Sequence, residues 1–142
     1  MPQAPETKAH APIEIEWVRG VEFEAGRGGG PKVHIDGDGA AAPSPFDAFL
    51  AALASCAATD VVTILRKQRT PVRALKVRVA AQRVESTPRR LASAVLQFSI
   101  DAPGTTRPKA DRAVELSVTK YCSVRSSLIA DAAVTWTIEL NC

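Results

Sequence analysis

An α+β domain with a long central helix packed on strongly bent antiparallel sheets is the fold class this sequence predicts. Three patterns predict it. Residues 13–24 and 133–140 alternate apolar and polar side chains, as half-buried strands do. An Ala-rich apolar run follows Pro43-Ser44-Pro45 and is long enough to be the central element. Two β-rich runs, 72–84 and 92–100, flank a turn-forming Ser-Thr-Pro-Arg-Arg segment.

The elements follow in order. Residues 1–12 are polar and Pro-rich, and read as a flexible N-terminal arm ahead of a single domain, 13–142. Ile13 to Val18 and Val21 to Glu24 form a hairpin about Arg19-Gly20, and Lys32 to Asp36 adds a third strand after the Gly-rich turn 26–31. Ser44 is the expected N-cap of the long helix and Pro45 suits its first position. Extending to Gln68, that helix spans about 35 Å. The strands 72–84 and 92–100 pair next. Thr106 caps a helix from Arg107 to Lys120, with Pro108 in its first turn. Tyr121-Cys122-Ser123 interrupts it, a short helix spans Val124 to Ala132, and Ala133 to Leu140 is the last strand.

Bulk composition narrows the function. Eighteen Lys and Arg are interspersed with fifteen acids for a net charge of +3, and no basic run marks a nucleic-acid surface. The apolar stretch from Phe46 to Leu65 is broken by Asp47, Ser55, Thr59, Asp60 and Thr63, which suits a core helix better than a membrane span. No apolar leader opens the chain, so the expectation is a cytoplasmic protein with reduced thiols. Neither CxxC nor HExxH occurs, and a zinc site from Cys56, Cys122 and His34 has no support from spacing. The absence of GxSxG argues against a serine hydrolase. No cofactor is required.

The chemistry therefore rests on cysteines. Cys56 lies mid-helix on a face shared with Phe49, Ala52, Asp60 and Thr63. It reads either as a small buried hydrophobe or as a nucleophile. Three turns from the N-cap it gains almost nothing from the helix dipole, and an ionised Asp60 opposes its thiolate, so activation requires a cation from another segment. Cys122 stands before a helix start, with Lys120 and Arg125 close in sequence. Local physics makes it the easier thiol to ionise. Cys142, the last residue, is expected to be exposed and incidental. Arg19, at the tip of the first hairpin, is either a solvated arginine or the cation that Cys56 needs.

Pro43 to Cys56 (PSPFDAFLAALASC) resembles the first-cysteine helix of the OsmC/Ohr superfamily, the osmotically inducible and organic-hydroperoxide-resistance proteins. Lys120-Tyr121-Cys122-Ser123-Val124 is similar to its second-cysteine motif, and the order of elements agrees from about residue 13 to 140. The segment Cys56 to Val62 resembles the subgroup with Cys-x-x-x-Asp-Val-Val, whose physiological role is poorly defined. The resemblance implies an OsmC-like fold in an intertwined homodimer, with two long helices at its centre. It also implies two-cysteine reduction of organic hydroperoxides. Cys56 attacks the peroxide, Cys122 resolves the sulfenic acid as a disulfide, a dithiol reductant reopens it, and Arg19 (with Arg27 as fallback) activates Cys56. One departure stands out: where the family's peroxidases carry a Glu that holds the arginine, this chain has Phe46 followed by Asp47. A weakly or non-catalytic member that binds an apolar ligand or senses redox state is the alternative.

Overall fold

A computed structural model describes residues 3–141, so the expectation for Cys142 lies outside the described residues. The chain divides into two compact units, Met1–Ala48 and Phe49–Cys142.

In the first unit, residues 3–12 carry no helix or strand and are exposed. Three strands, β1 (Ile13–Arg19), β2 (Glu22–Arg27) and β3 (Lys32–Asp36), pair antiparallel in that order. Gly20 turns the first hairpin at φ 50°, a conformation that suits glycine. Register puts Ile15, Ala25 and Val33 side by side, next to Trp17, Phe23 and Ile35, so most of one face is apolar, with Arg27 opposite Ile13 at its end. Glu16, Glu24 and His34 share the other face. His34 is hydrogen-bonded to Glu22 at 2.9 Å, and that bond, with Glu24 beside it, raises the imidazole pKa. At the end of β3 the buried Asp36 accepts hydrogen bonds from the N–H groups of Asp38, Ala40 and Ala41, closing the following loop. Those bonds, the one from Ala41 foremost, hold its carboxyl below the usual range.

The long helix, α1 (Pro45–Lys67), begins as the sequence predicts. Ser44 Oγ accepts from the Asp47 N–H at 3.1 Å, and Asp47 Oδ2 accepts from the Ser44 N–H at 3.0 Å, a reciprocal cap with aspartate in the acidic place. Asp47 is thus committed to starting the helix. Among the described residues α1 is the one helix long and apolar enough to cross a membrane, with mean hydropathy 1.9 over its best stretch. Its Leu53, Ala57, Val61 and Leu65, spaced by four, are nevertheless fully buried within the protein.

The second unit contains the remaining sheet: β4 (Ala74–Arg83), β5 (Leu91–Asp101) and β6 (Ala133–Asn141), in the order β4-β5-β6. The core alternates along β5 through Ala94, Leu96, Phe98 and Ile100, all at most 1% exposed. β4 and β5 pair antiparallel, but β5 and β6 pair parallel. The expected all-antiparallel sheets are therefore corrected to one antiparallel and one mixed sheet. The helical segment between β5 and β6 is long enough to carry the chain back to the starting end, which a parallel pair requires. That segment comprises α2 (Arg107–Leu116), a π-helical turn (Ser117–Tyr121) and α3 (Ser123–Ser126). Thr106 caps α2 through its side chain, as expected. The last helix is much shorter than the predicted 124–132. Ser127 Oγ takes the Ser123 carbonyl and the chain turns again at Ile129–Ala132.

Candidate functional site

The structure brings Cys56, Cys122 and Ser123 together within the second unit. α1 supplies Cys56, half-buried, and its Sγ lies 3.9 Å from Ser123 Oγ. Cys122 is only 3% exposed. Its thiol donates to the Leu53 carbonyl at 3.8 Å, three residues before Cys56 on the same helix, and its Sγ accepts the Arg125 N–H at 3.4 Å as the cap of α3. Each cysteine also shifts the ionisation of the other.

This arrangement orders the two ionisations. Burial works against a Cys56 thiolate, but the Val124 N–H, the neighbouring Cys122 and the hydroxyl and N–H of Ser123 favour it and outweigh burial, so the net pKa is lowered. For Cys122 burial comes first and is reinforced by the neighbouring Cys56 and its charge. The Arg125 N–H offsets these only in part, and the pKa is raised. The expectation that Cys122 ionises more easily is therefore reversed. The amides exposed at the helix start serve the neighbouring sulfur as well as Cys122's own, and Cys122 is the more deeply buried. Lys120 does not assist Cys122 as supposed, since its ammonium lies over the Tyr121 ring, 5.3 Å from the centroid.

The remaining sequence candidates have other settings. Arg19 belongs to the first unit, where its exposed guanidinium pairs with Glu22 at 3.3 Å. Arg27, also in the first unit, is exposed at the end of β2. Asp60 lines a cleft of about 430 Å³ with Thr63, Ile64, Lys67, Gln68, Leu116 and Tyr121, and is not among the groups that shift Cys56. Sequence reasoning missed Ser123, Val124 and the Leu53 carbonyl. A helix break immediately before a Cys-Ser pair, which leaves free amides beside a hydroxyl, was the available signal. Two turns before Cys56 on the same helical face, Phe49 joins Leu91, Leu128, Ile129 and Ala132 around an apolar groove of about 250 Å³, with Arg90 at its edge.

Comparison with known proteins places the chain in a family. The model of the OsmC-like protein family matches residues 36–139. Protein YhfA of Escherichia coli K12 is 35% identical over 127 residues, covering 89% of this chain and 95% of that protein. An OsmC-like protein from Mycoplasma pneumoniae superposes with a TM-score of 0.79 at 14% identity, covering 94% of this chain and 99% of the other. The organic hydroperoxide resistance protein OhrB of Bacillus subtilis does so with a TM-score of 0.60 at 14% identity, covering 92% and 98%. The last two show the fold alone. The family match includes both cysteines and the YhfA similarity runs over most of the chain, so this chain belongs to the OsmC family.

Proposed function

We propose that the protein is a two-cysteine thiol peroxidase acting on organic hydroperoxides. The observation that carries this reading is that the Cys122–Ser123 segment packs on α1 beside Cys56, with Ser123 Oγ 3.9 Å from Cys56 Sγ and the Cys122 thiol donating to Leu53 of the same helix, an environment that lowers the Cys56 pKa and raises that of Cys122. The Cys56 thiolate attacks the terminal peroxide oxygen, breaking the O–O bond. A proton reaches the departing alkoxide to give an alcohol, and Cys56 is left as a sulfenic acid. Cys122 then attacks the Cys56 sulfur, the S–S bond forms, and its proton leaves with the hydroxyl as water. A dithiol reductant reopens the disulfide, restoring two thiols and becoming oxidised itself.

The apolar groove that includes Phe49 supports an organic substrate over hydrogen peroxide. It equally favours the second reading, a weakly catalytic member that binds an apolar ligand or senses redox state. Arg19 is proposed as the activating cation on the resemblance of its hairpin position to that of the family's arginine. Two features support a homodimer. Ala51, Ala52, Ser55 and Thr59 leave one side of α1 exposed, and Ile13, Ile15, Trp17 and Val33 are each more than half exposed on one sheet face. The family match runs through the boundary between the two units, which supports one domain over 13–142. A reducing cytoplasm suits free, cycling thiols.

The test is peroxide consumption in the presence of a dithiol, comparing an organic hydroperoxide with hydrogen peroxide. Wild type is expected to prefer the organic substrate, and Cys56→Ser to lose about a hundredfold or more of the activity. Unchanged consumption by Cys56→Ser removes the peroxidatic role from this sulfur.

A further inference from the structure

Ser123 follows Cys122 directly and opens α3, and its backbone is held firmly. Its carbonyl accepts twice from Ser127, from the N–H at 3.1 Å and from Oγ at 2.8 Å. The preceding residue is equally anchored, since the Cys122 carbonyl accepts the Ser126 N–H at 3.0 Å and its Sγ accepts the Arg125 N–H at 3.4 Å. With the chain pinned on both sides, the Ser123 hydroxyl keeps little freedom beyond one side-chain torsion. Its hydrogen-bond partner is Cys56 Sγ, 3.9 Å away.

The chemistry of that contact depends on the state of the sulfur. While Cys56 is a thiol, either atom can donate and the bond is weak. Once Cys56 is a thiolate it can only accept, so the hydroxyl must donate, and the bond becomes charge-assisted and roughly twice as strong. A bond that strengthens on ionisation favours the ionised form. The groups that favour the Cys56 thiolate here are all neutral donors, and the Ser123 hydroxyl is one whose removal leaves the backbone untouched.

We propose that Ser123 is a positioning residue for Cys56, its hydroxyl donating to the thiolate and fixing the direction in which the sulfur meets the peroxide oxygen. The hydroxyl keeps its own proton throughout. The proposal rests on Cys56 being the attacking sulfur, and it adds a residue that the two-cysteine scheme does not contain.

The experiment is the pH profile of iodoacetamide alkylation at Cys56. It is resolved at the peptide level by mass spectrometry on the reduced full-length chain, for wild type, Ser123→Ala and Ser123→Thr. Ser123→Ala should move the midpoint upward and slow alkylation at pH 7 by about three- to tenfold, while Ser123→Thr keeps the wild-type profile. An unchanged midpoint in Ser123→Ala overturns the proposal, as does a Ser123→Thr profile that follows the alanine variant. Ser123 is exposed, so alanine removes no buried contact, and the thermal midpoint of each variant verifies that the fold is kept. Consumption of an organic hydroperoxide is measured separately on the same set. A shifted alkylation midpoint in a chain that consumes no peroxide defeats the peroxidase reading and leaves the Ser123 contact standing. Peroxide consumption with no shift in Ser123→Ala does the reverse.

Discussion

Cys56 and Cys122 are the same functional group in two settings, and the contrast shows what makes a cysteine reactive. Cys56 stands in the middle of a helix, where its own element offers it nothing, yet another segment brings donors to it. Cys122 stands at a helix start, the position usually credited with activating thiols, and is biased the other way by burial and by its partner's charge. What surrounds the sulfur in space outweighs where it stands along the helix.

The largest effect that sharpens this contrast comes from Cys122→Ala. A first oxidation of Cys56 should survive while turnover with a dithiol falls by about tenfold or more, and the Cys56 sulfenic acid should persist long enough for a dimedone adduct to be seen by mass spectrometry. Equal turnover and no adduct would mean that the buried sulfur does not resolve the other.

A smaller effect concerns pH. The folded pKa of Cys122 is raised from 9.0, so its contribution to stability is fully present below that value and lost as pH rises through the folded pKa. Cys56 has the opposite sign: its contribution is present above 9.0 and lost as pH falls through its lowered value. Urea denaturation of the reduced protein above pH 9 should therefore show a steeper alkaline loss in wild type than in Cys122→Ala. A steeper loss in the variant would reverse the assignment.

The smallest expected effect is that of Asp60→Asn. Asp60 follows Cys56 by one helical turn, and sequence alone makes it an opponent of the thiolate. It is absent from the groups that act on Cys56, so alkylation of Cys56 at pH 7 should change by less than about twofold. A large acceleration would restore Asp60 as a brake on the sulfur.

Much of the fold was legible because local chemistry writes it. The Ser44–Asp47 cap, Pro45 at the helix start and the alternation along β1 and β6 each follow from side chains within a few residues of one another. The parallel pairing of β5 with β6 was not legible, because it depends on how far the intervening helices carry the chain. Nor was the order of the two thiols. A linear reading has no means of seeing that the Leu53 carbonyl accepts from the Cys122 thiol, or that Ser123 faces Cys56. The motif resemblance found the two sulfurs, and three-dimensional hydrogen bonding ranked them.

The turn at Ser117–Tyr121 carries a further consequence. A π-helical turn holds one residue more than the α-helix would, so whatever follows is rotated by about 100° about the helix axis and advanced by one residue. Cys122 comes directly after it. The direction of its sulfur, toward the Leu53 carbonyl, thus depends on that surplus residue together with the extended backbone of Cys122 itself, at φ −73° and ψ 99°. Such a surplus is equivalent to a one-codon insertion, so deleting one residue of the turn would swing the second sulfur away without altering either cysteine. Spacing at this turn is as much a part of the site as the sulfur atoms themselves.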